Sequence, residues 1–160
     1  MPHAVRAATP GDAPLIVDLI RGLADYEKML DQMETTEERI RASLFPPGGQ
    51  APDAHCVLGE VNGIPAGFAL YFFNFSTFLA RPGLYLEDLF VKPEYRGQGL
   101  GKALLLHLAR IAVQRGCGRM EWAVLDWNTP AIEFYESLGA RRLTEWQLCR
   151  LRAEDLARLT

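Results

Sequence analysis

Gly97, Gly99 and Gly101 alternate with Gln98 and Leu100, with Arg96 just before them and Lys102 just after. They separate two runs of different period. Leu84 to Val91 is rich in β-formers and bulky apolar groups, whereas Leu100 to Arg115 places Leu100, Leu104, Leu108, Ile111 and Ala112 at helical spacing. A strand-to-helix turn of this kind presents several backbone N–H groups at the positive end of a helix, which suits phosphate oxygens. Glycine is required where a Cβ would obstruct the ligand or where φ is positive. The spacing points to a pyrophosphate.

Known phosphate loops narrow the choice. A P-loop needs Ser or Thr after Gly-Lys, but Ala103 follows Gly101-Lys102, and Arg96 stands where the first glycine belongs. A dinucleotide fingerprint needs glycine at Lys102 or Leu104. What remains, Arg-Gly-Gln-Gly-Leu-Gly after a strand ending Val-Lys-Pro, resembles the acetyl-CoA pyrophosphate loop of the GNAT N-acetyltransferase superfamily. Taken alone, it is also compatible with a tight turn that merely lets a helix pack on a sheet.

The elements around this loop read as a single domain over residues 1–160. Val5 to Ala8 is a short strand, and Thr9-Pro10-Gly11-Asp12 opens a helix with one apolar stripe, Leu15, Ile16, Leu19, Ile20 and Leu23. Thr35-Thr36-Glu37-Glu38 fits a capping box for a second helix ending near Leu44. Phe45 to Ala54 is a loop rich in proline and glycine. His55–Val61 and Ile64–Asn74 form a hairpin closed by Asn62-Gly63, the type I′ signature. After the long helix, Gly116 is a stop and Met120 to Leu125 a strand. Thr129 caps a short helix with Pro130 in its first turn, Gly139 ends it, and Leu143 to Leu151 is a final strand. The order predicts an α/β (α+β) fold, a mixed twisted sheet flanked by helices.

Composition agrees. The 160 residues are 49% hydrophobic and 23% charged, with net charge −3, which gives no basic footprint for nucleic acid. Cys56, Cys117 and Cys149 are dispersed and read as small hydrophobes in a reducing compartment. No apolar run reaches membrane-spanning length and the N-terminus lacks a signal-peptide core, so the expected location is cytoplasmic, with no membrane partner. His3, His55 and His107 have no metal-ligand spacing, and no metal is expected.

Further segments sharpen the resemblance. Tyr-Leu-Glu-Asp-Leu-Phe-Val (85–91), Ala-Val-Leu-Asp-Trp-Asn (123–128), Phe-Tyr-Glu-Ser-Leu-Gly (134–139) and Leu-Ala-Asp-Tyr-Glu (23–27) stand in the order and spacing of the spermidine/spermine (diamine) and thialysine acetyltransferase branch. The chain is similar to that branch over nearly its whole length, and Asp-Trp-Asn leans to the thialysine side. After Leu143 it is shorter than the polyamine enzymes, which displaces Glu145 and Trp146.

Strand alternation places Glu87 with Tyr85, Leu89 and Val91 and turns Asp88 to the other face. A water-excluded carboxylate has a raised pKa, which suits a base acting on an ammonium near neutral pH. The alternative is a carboxylate paired with an Arg across the sheet. The resemblance implies that Glu87 is the base, through ordered water, and leaves Asp88 a structural or dimer-contact role. Asn128, Ile132 and Tyr135 share one helix face, and the resemblance implies that Tyr135 protonates the leaving thiolate.

For acetyl-CoA the resemblance implies contacts from Leu89, Phe90, Val91, Arg96, Gly97, Gln98, Gly99, Leu100, Gly101, Lys102, Asn128, Thr129, Pro130, Ala131 and Leu138. A β-bulge or splay after Glu87 would free a backbone N–H in Leu89 to Val91 for the carbonyl oxygen and the pantetheine amides. Tyr26, Glu27, Glu87, Glu121, Trp122, Ala123 and Asp126 match or adjoin the branch's substrate contacts, and acids with aromatics would hold a cation. The expectation is an acetyl-CoA-dependent N-acetyltransferase acting on a primary amine of a small molecule such as a diamine, polyamine or thialysine. A homodimer is implied by the resemblance. The rivals are a protein lysine or N-terminal acetyltransferase and a non-catalytic acyl-CoA-binding module.

Overall fold

Five strands lie side by side in chain order in the computed structural model, which describes residues 2–160: β1 (His3–Ala7), β2 (His55–Val61), β3 (Ile64–Ser76), β4 (Arg81–Val91) and β5 (Met120–Glu121). The first four pair antiparallel, and β5 joins β4 in parallel. Asn62 and Gly63 close the β2–β3 turn with φ of 51° and 75°, the left-handed pair that matches the twist of a two-residue hairpin. Helices α1 (Ala13–Tyr26) and α2 (Glu37–Leu44) bring Ala13, Ile16, Leu19, Leu23, Ile40 and Leu44 into one buried cluster with Cys56, Leu58, Phe68 and Phe90 of the sheet. Helix α3 (Leu100–Gln114) buries Leu100, Leu104 and Leu108.

Two missing side chains set how closely these helices lie on the sheet. A Cβ on Gly22 of α1 would stand 2.9 Å from Phe90 Cε2, and one on Gly59 of β2 would stand 2.8 Å from Leu100 Cδ1. Phe90 and Leu100 fill those gaps. Arg6 fastens β1 to the entrance of α1: its two terminal nitrogens donate to the Asp12 carboxylate at 2.9 and 3.0 Å, while its Nε donates to Glu60 of β2 at 3.1 Å. The forked guanidinium holds the Asp12 carboxyl well below the usual carboxylate range.

Contacts divide the chain into two compact units, one through Ala123 and one from Val124 on. The second unit carries α4 (Thr129–Ser137) and α5 (Ala153–Leu159). Several expectations need correction. The cap of α2 is Thr36, one residue later than expected, accepting from Arg39 N at 3.1 Å. The strand expected over Met120 to Leu125 is only Met120–Glu121. Among the described residues, Leu143 to Leu151 contribute no strand to the sheet. A strand exists only where its N–H and C=O groups enter a ladder, and among the described residues those of this segment enter none; Trp146 and Leu148 stand 76% and 82% exposed. Helix α5 was not anticipated, although Glu154 and Asp155 in its first turn and Arg158 in its last suit a helix dipole.

Candidate active site

Backbone conformation makes the glycine loop what it is. After β4, Pro93–Tyr95 form a single 3₁₀ turn, then Gly97 and Gly99 take φ of 76° and 86°, with Gly99 as the N-cap of α3. Among the described residues, a Cβ on Gly97 would meet nothing within 4 Å, and one on Gly99 only His3 Nε2, at 3.6 Å. Glycine is therefore needed for its left-handed φ rather than for room. Ala103 N bonds Gly99 O at 3.0 Å, so the amides of the turn before it are left to a ligand or water. Among the described residues the buried Gln98 side-chain carbonyl meets no donor, which suits a ligand N–H. Beside the loop, β5 pairs with β4 only at Leu84 and Tyr85, so among the described residues the β4 edge from Leu86 to Val91 meets no strand on that side. Unpaired amides at a helix N-terminus and an open strand edge fit the pyrophosphate and the pantetheine arm of acetyl-CoA.

The irregularity in β4 falls at Glu87 itself rather than after it. Tyr71 of β3 pairs with Leu86 and Leu70 with Asp88, leaving Glu87 without a partner. Residues directly opposite share a face, so this extra residue changes the phase of the strand. Leu84 and Leu86 side with Phe73 and Tyr71, while Asp88 and Phe90 side with Leu70 and Phe68, the last two with Phe90 belonging to the layer packed by α1. Two expectations are thereby corrected. Glu87 is exposed and does not share a regular face with Tyr85, Leu89 and Val91; Asp88, set aside by simple alternation, turns towards the α1 layer. A bulge does this because it puts two residues opposite one.

Asp88 is the residue whose importance the sequence hid. Burial, then the negative Glu87 and Glu27, push its carboxyl from 3.8 up to about 7. Burial also raises Glu27, at the C-cap of α1. Because the unfolded carboxyl ionises near 3.8 and the folded one near 7, the contribution of Asp88 to stability is intact below about pH 4. It is lost as pH rises through 7. Asp88→Asn is expected to melt higher than wild type at pH 8, by an amount of order 2–4 kcal/mol, and to lose that advantage at pH 4. Thermal melts of both proteins across this range check it; a gap that does not vary with pH contradicts it.

Further residues of the first unit lie on β4, on β5 beside it, or just after β5. Tyr85 lies against Phe72 with ring centres 5.2 Å apart, and its hydroxyl is raised by burial and by Glu87 and Glu121. Glu121 pairs with Arg119 Nε at 3.1 Å, and Trp122 is half-buried beside exposed Ala123. The Arg96 guanidinium, expected on phosphate, lies 4.7 Å from the Tyr26 ring centre and 5.5 Å from that of Phe90, with Nε donating to Val91 O at 2.9 Å. Lys102 is exposed.

In the second unit, the cap of α4 is Asn128, not Thr129: Asn128 Oδ1 accepts from Ala131 N at 3.4 Å, and Pro130 follows within the first turn. Ile132 is buried, and Tyr135 is half-buried with its ring 5.4 Å from Phe134. Leu138 caps the helix, Gly139 follows with φ of 95°, and Asp126 is exposed.

Residues 21–140 match the model of the Acetyltransferase (GNAT) family. The chain belongs to this family. GNAT acetyltransferases use acetyl-CoA as co-substrate, which is the ligand that the loop and the open β4 edge fit. This GNAT chain is 42% identical to the thialysine N-epsilon-acetyltransferase of Bos taurus, over 97% of its own length and 95% of the relative's. It is 35% identical to the L-ornithine N5-acetyltransferase of Arabidopsis thaliana, over 95% and 85%. An integron cassette protein from the mobile metagenome of V. cholerae shares its fold at a TM-score of 0.77 and 24% identity, covering 99% of this chain and 98% of the other. No helix among the described residues is long and apolar enough to cross a membrane.

Proposed function

We propose that this acetyltransferase moves the acetyl group of acetyl-CoA to the primary amine at the far end of a small amino acid or diamine. The half-buried Asp88, on the cofactor strand β4 and beside Glu87 and Glu27, carries the reading: a cluster of acids favours a cation. The relatives support it, since those at 42% and 35% identity act on thialysine and ornithine, both amino acids with a terminal side-chain amine. In this reading residues 1–160 serve as one catalytic domain, in the cytoplasm and as a homodimer.

Each group then has one task. Gly97, Gln98, Gly99, Leu100, Gly101 and Lys102 hold the pyrophosphate with backbone donors, Leu89, Phe90 and Val91 offer the β4 edge to the pantetheine amides, and Asn128, Thr129, Pro130, Ala131 and Leu138 complete the cofactor site. Acetyl-CoA supplies the thioester carbonyl that the amine attacks. Tyr26, Glu27, Glu121, Trp122, Ala123 and Asp126 bind the amine. Glu87, solvent-facing on the bulge, takes the ammonium proton through water, and the Tyr135 hydroxyl gives one to the departing sulfur.

Thiol release from acetyl-CoA, measured with thialysine, ornithine, lysine, spermidine, short diamines and a lysine peptide, tests the reading. Turnover is expected to be fastest with the amino acids and weaker with spermidine. Turnover of the peptide alone would make the protein a protein acetyltransferase, and acetyl-CoA binding without thiol release would make it a binding module.

A further inference from the structure

Arg96 stands at the head of the glycine loop, yet its side chain turns away from the loop's amides. Its Nε donates to Val91 O at 2.9 Å, which pins it to the end of β4. Its guanidinium lies over two rings, that of Phe90 at 5.5 Å and that of Tyr26 at 4.7 Å. Tyr26 is the last residue of α1, and Glu27, next to it, is one of the groups whose charge bears on Asp88. One side chain therefore joins the start of the cofactor loop to the helix end that carries the amine residues.

The chemistry of the contact favours this over a plain phosphate ligand. A planar guanidinium stacked on an aromatic face and hydrogen-bonded through Nε has one orientation, which an ammonium on a flexible stem would not keep. Cation–π contacts at exposed positions are individually modest. Two rings and a backbone carbonyl acting on one group are enough to bias a loop but not to lock it. Phe90 is buried in the α1 layer and its ring fills the gap at Gly22, so a shift of Arg96 meets a packed surface.

We infer that Arg96 is a positioning residue that couples the acetyl-CoA loop to the amine pocket through Tyr26, so that filling one site tightens the other. This rests on the acetyl-CoA reading of the loop. Coupling between sites is reciprocal, and that gives the test its force. Arg96 is the group shared by both sites, so losing the Tyr26 ring beneath it is also felt at the loop when no amine is present.

The experiment is calorimetric titration of acetyl-CoA into wild type, Tyr26→Leu, Tyr26→Phe and Arg96→Lys, with amine KM measured for each at saturating acetyl-CoA and thermal melts as the folding control. Tyr26→Leu is expected to weaken acetyl-CoA binding about threefold to tenfold, and Tyr26→Phe, which keeps the ring face, to leave it unchanged. Arg96→Lys keeps the charge and loses the stacked plane, and should raise amine KM by a similar factor. A folded Tyr26→Leu protein with wild-type affinity for acetyl-CoA overturns the coupling while leaving the cofactor site intact. Wild type that fails to bind acetyl-CoA overturns the coupling and the underlying reading together.

Discussion

Tyr135→Phe is expected to lower kcat about a hundredfold while acetyl-CoA binding stays nearly unchanged. General acid catalysis contributes about 10²–10⁴-fold, and a thiolate is a tolerable leaving group, which favours the lower end. The substitution removes one oxygen and keeps the ring against Phe134, so the packing of α4 around buried Ile132 has no reason to change. A role confined to the transition state lowers kcat and kcat/KM together. Steady-state kinetics with a good amine and calorimetry with acetyl-CoA separate the two effects. A phenylalanine variant with full kcat would return Tyr135 to the rank of a packed aromatic.

Gly99→Val should have the second large effect, on the cofactor. At φ of 86° the N-cap of α3 is closed to β-branched residues. The strain, of order 1–3 kcal/mol, would be relieved by moving the loop off its present path. The acetyl-CoA dissociation constant is expected to rise tenfold or more. Leu100, Leu104 and Leu108 remain buried beneath α3 and keep the helix seated, so circular dichroism should be unaltered. Wild-type affinity in a folded Gly99→Val protein would remove the pyrophosphate from this loop.

Features written in local backbone chemistry were legible in the sequence. The hairpin at Asn62-Gly63, the glycine turn into α3 and the stop at Gly116, with φ of 70°, each follow from residues acting on their immediate neighbours. Features that depend on a distant partner were not. Nothing in Tyr-Leu-Glu-Asp announces an extra residue, because the bulge exists only against Leu70 and Tyr71 of β3. Simple alternation therefore gives Asp88 the wrong phase relative to Tyr85, Leu89 and Val91, and hides that it turns towards the layer of α1. The cap of α4 differs from expectation for a simpler reason: Asn128 and Thr129 are both competent caps, and the chain enters the helix one residue earlier than the threonine would allow. Leu143 to Leu151 has residues that favour strands, but composition records a preference and not a pairing, and the described residues form no strand there.

Burial is also unevenly shared along the chain, and this bears on how the protein breathes. From residue 124 on, Ile132 is the only described residue counted in the buried core, while β2, β3 and β4 hold fully buried Leu58, Phe68, Leu84 and Leu86. Local opening costs least where few apolar groups are withdrawn from water. Amides of the C-terminal segment should therefore exchange with deuterium long before those of the central strands, well below the threshold of global unfolding. The phenol assigned to protonate the sulfur rides on the less protected part of the molecule, so its catalytic position must be steadied by what it binds.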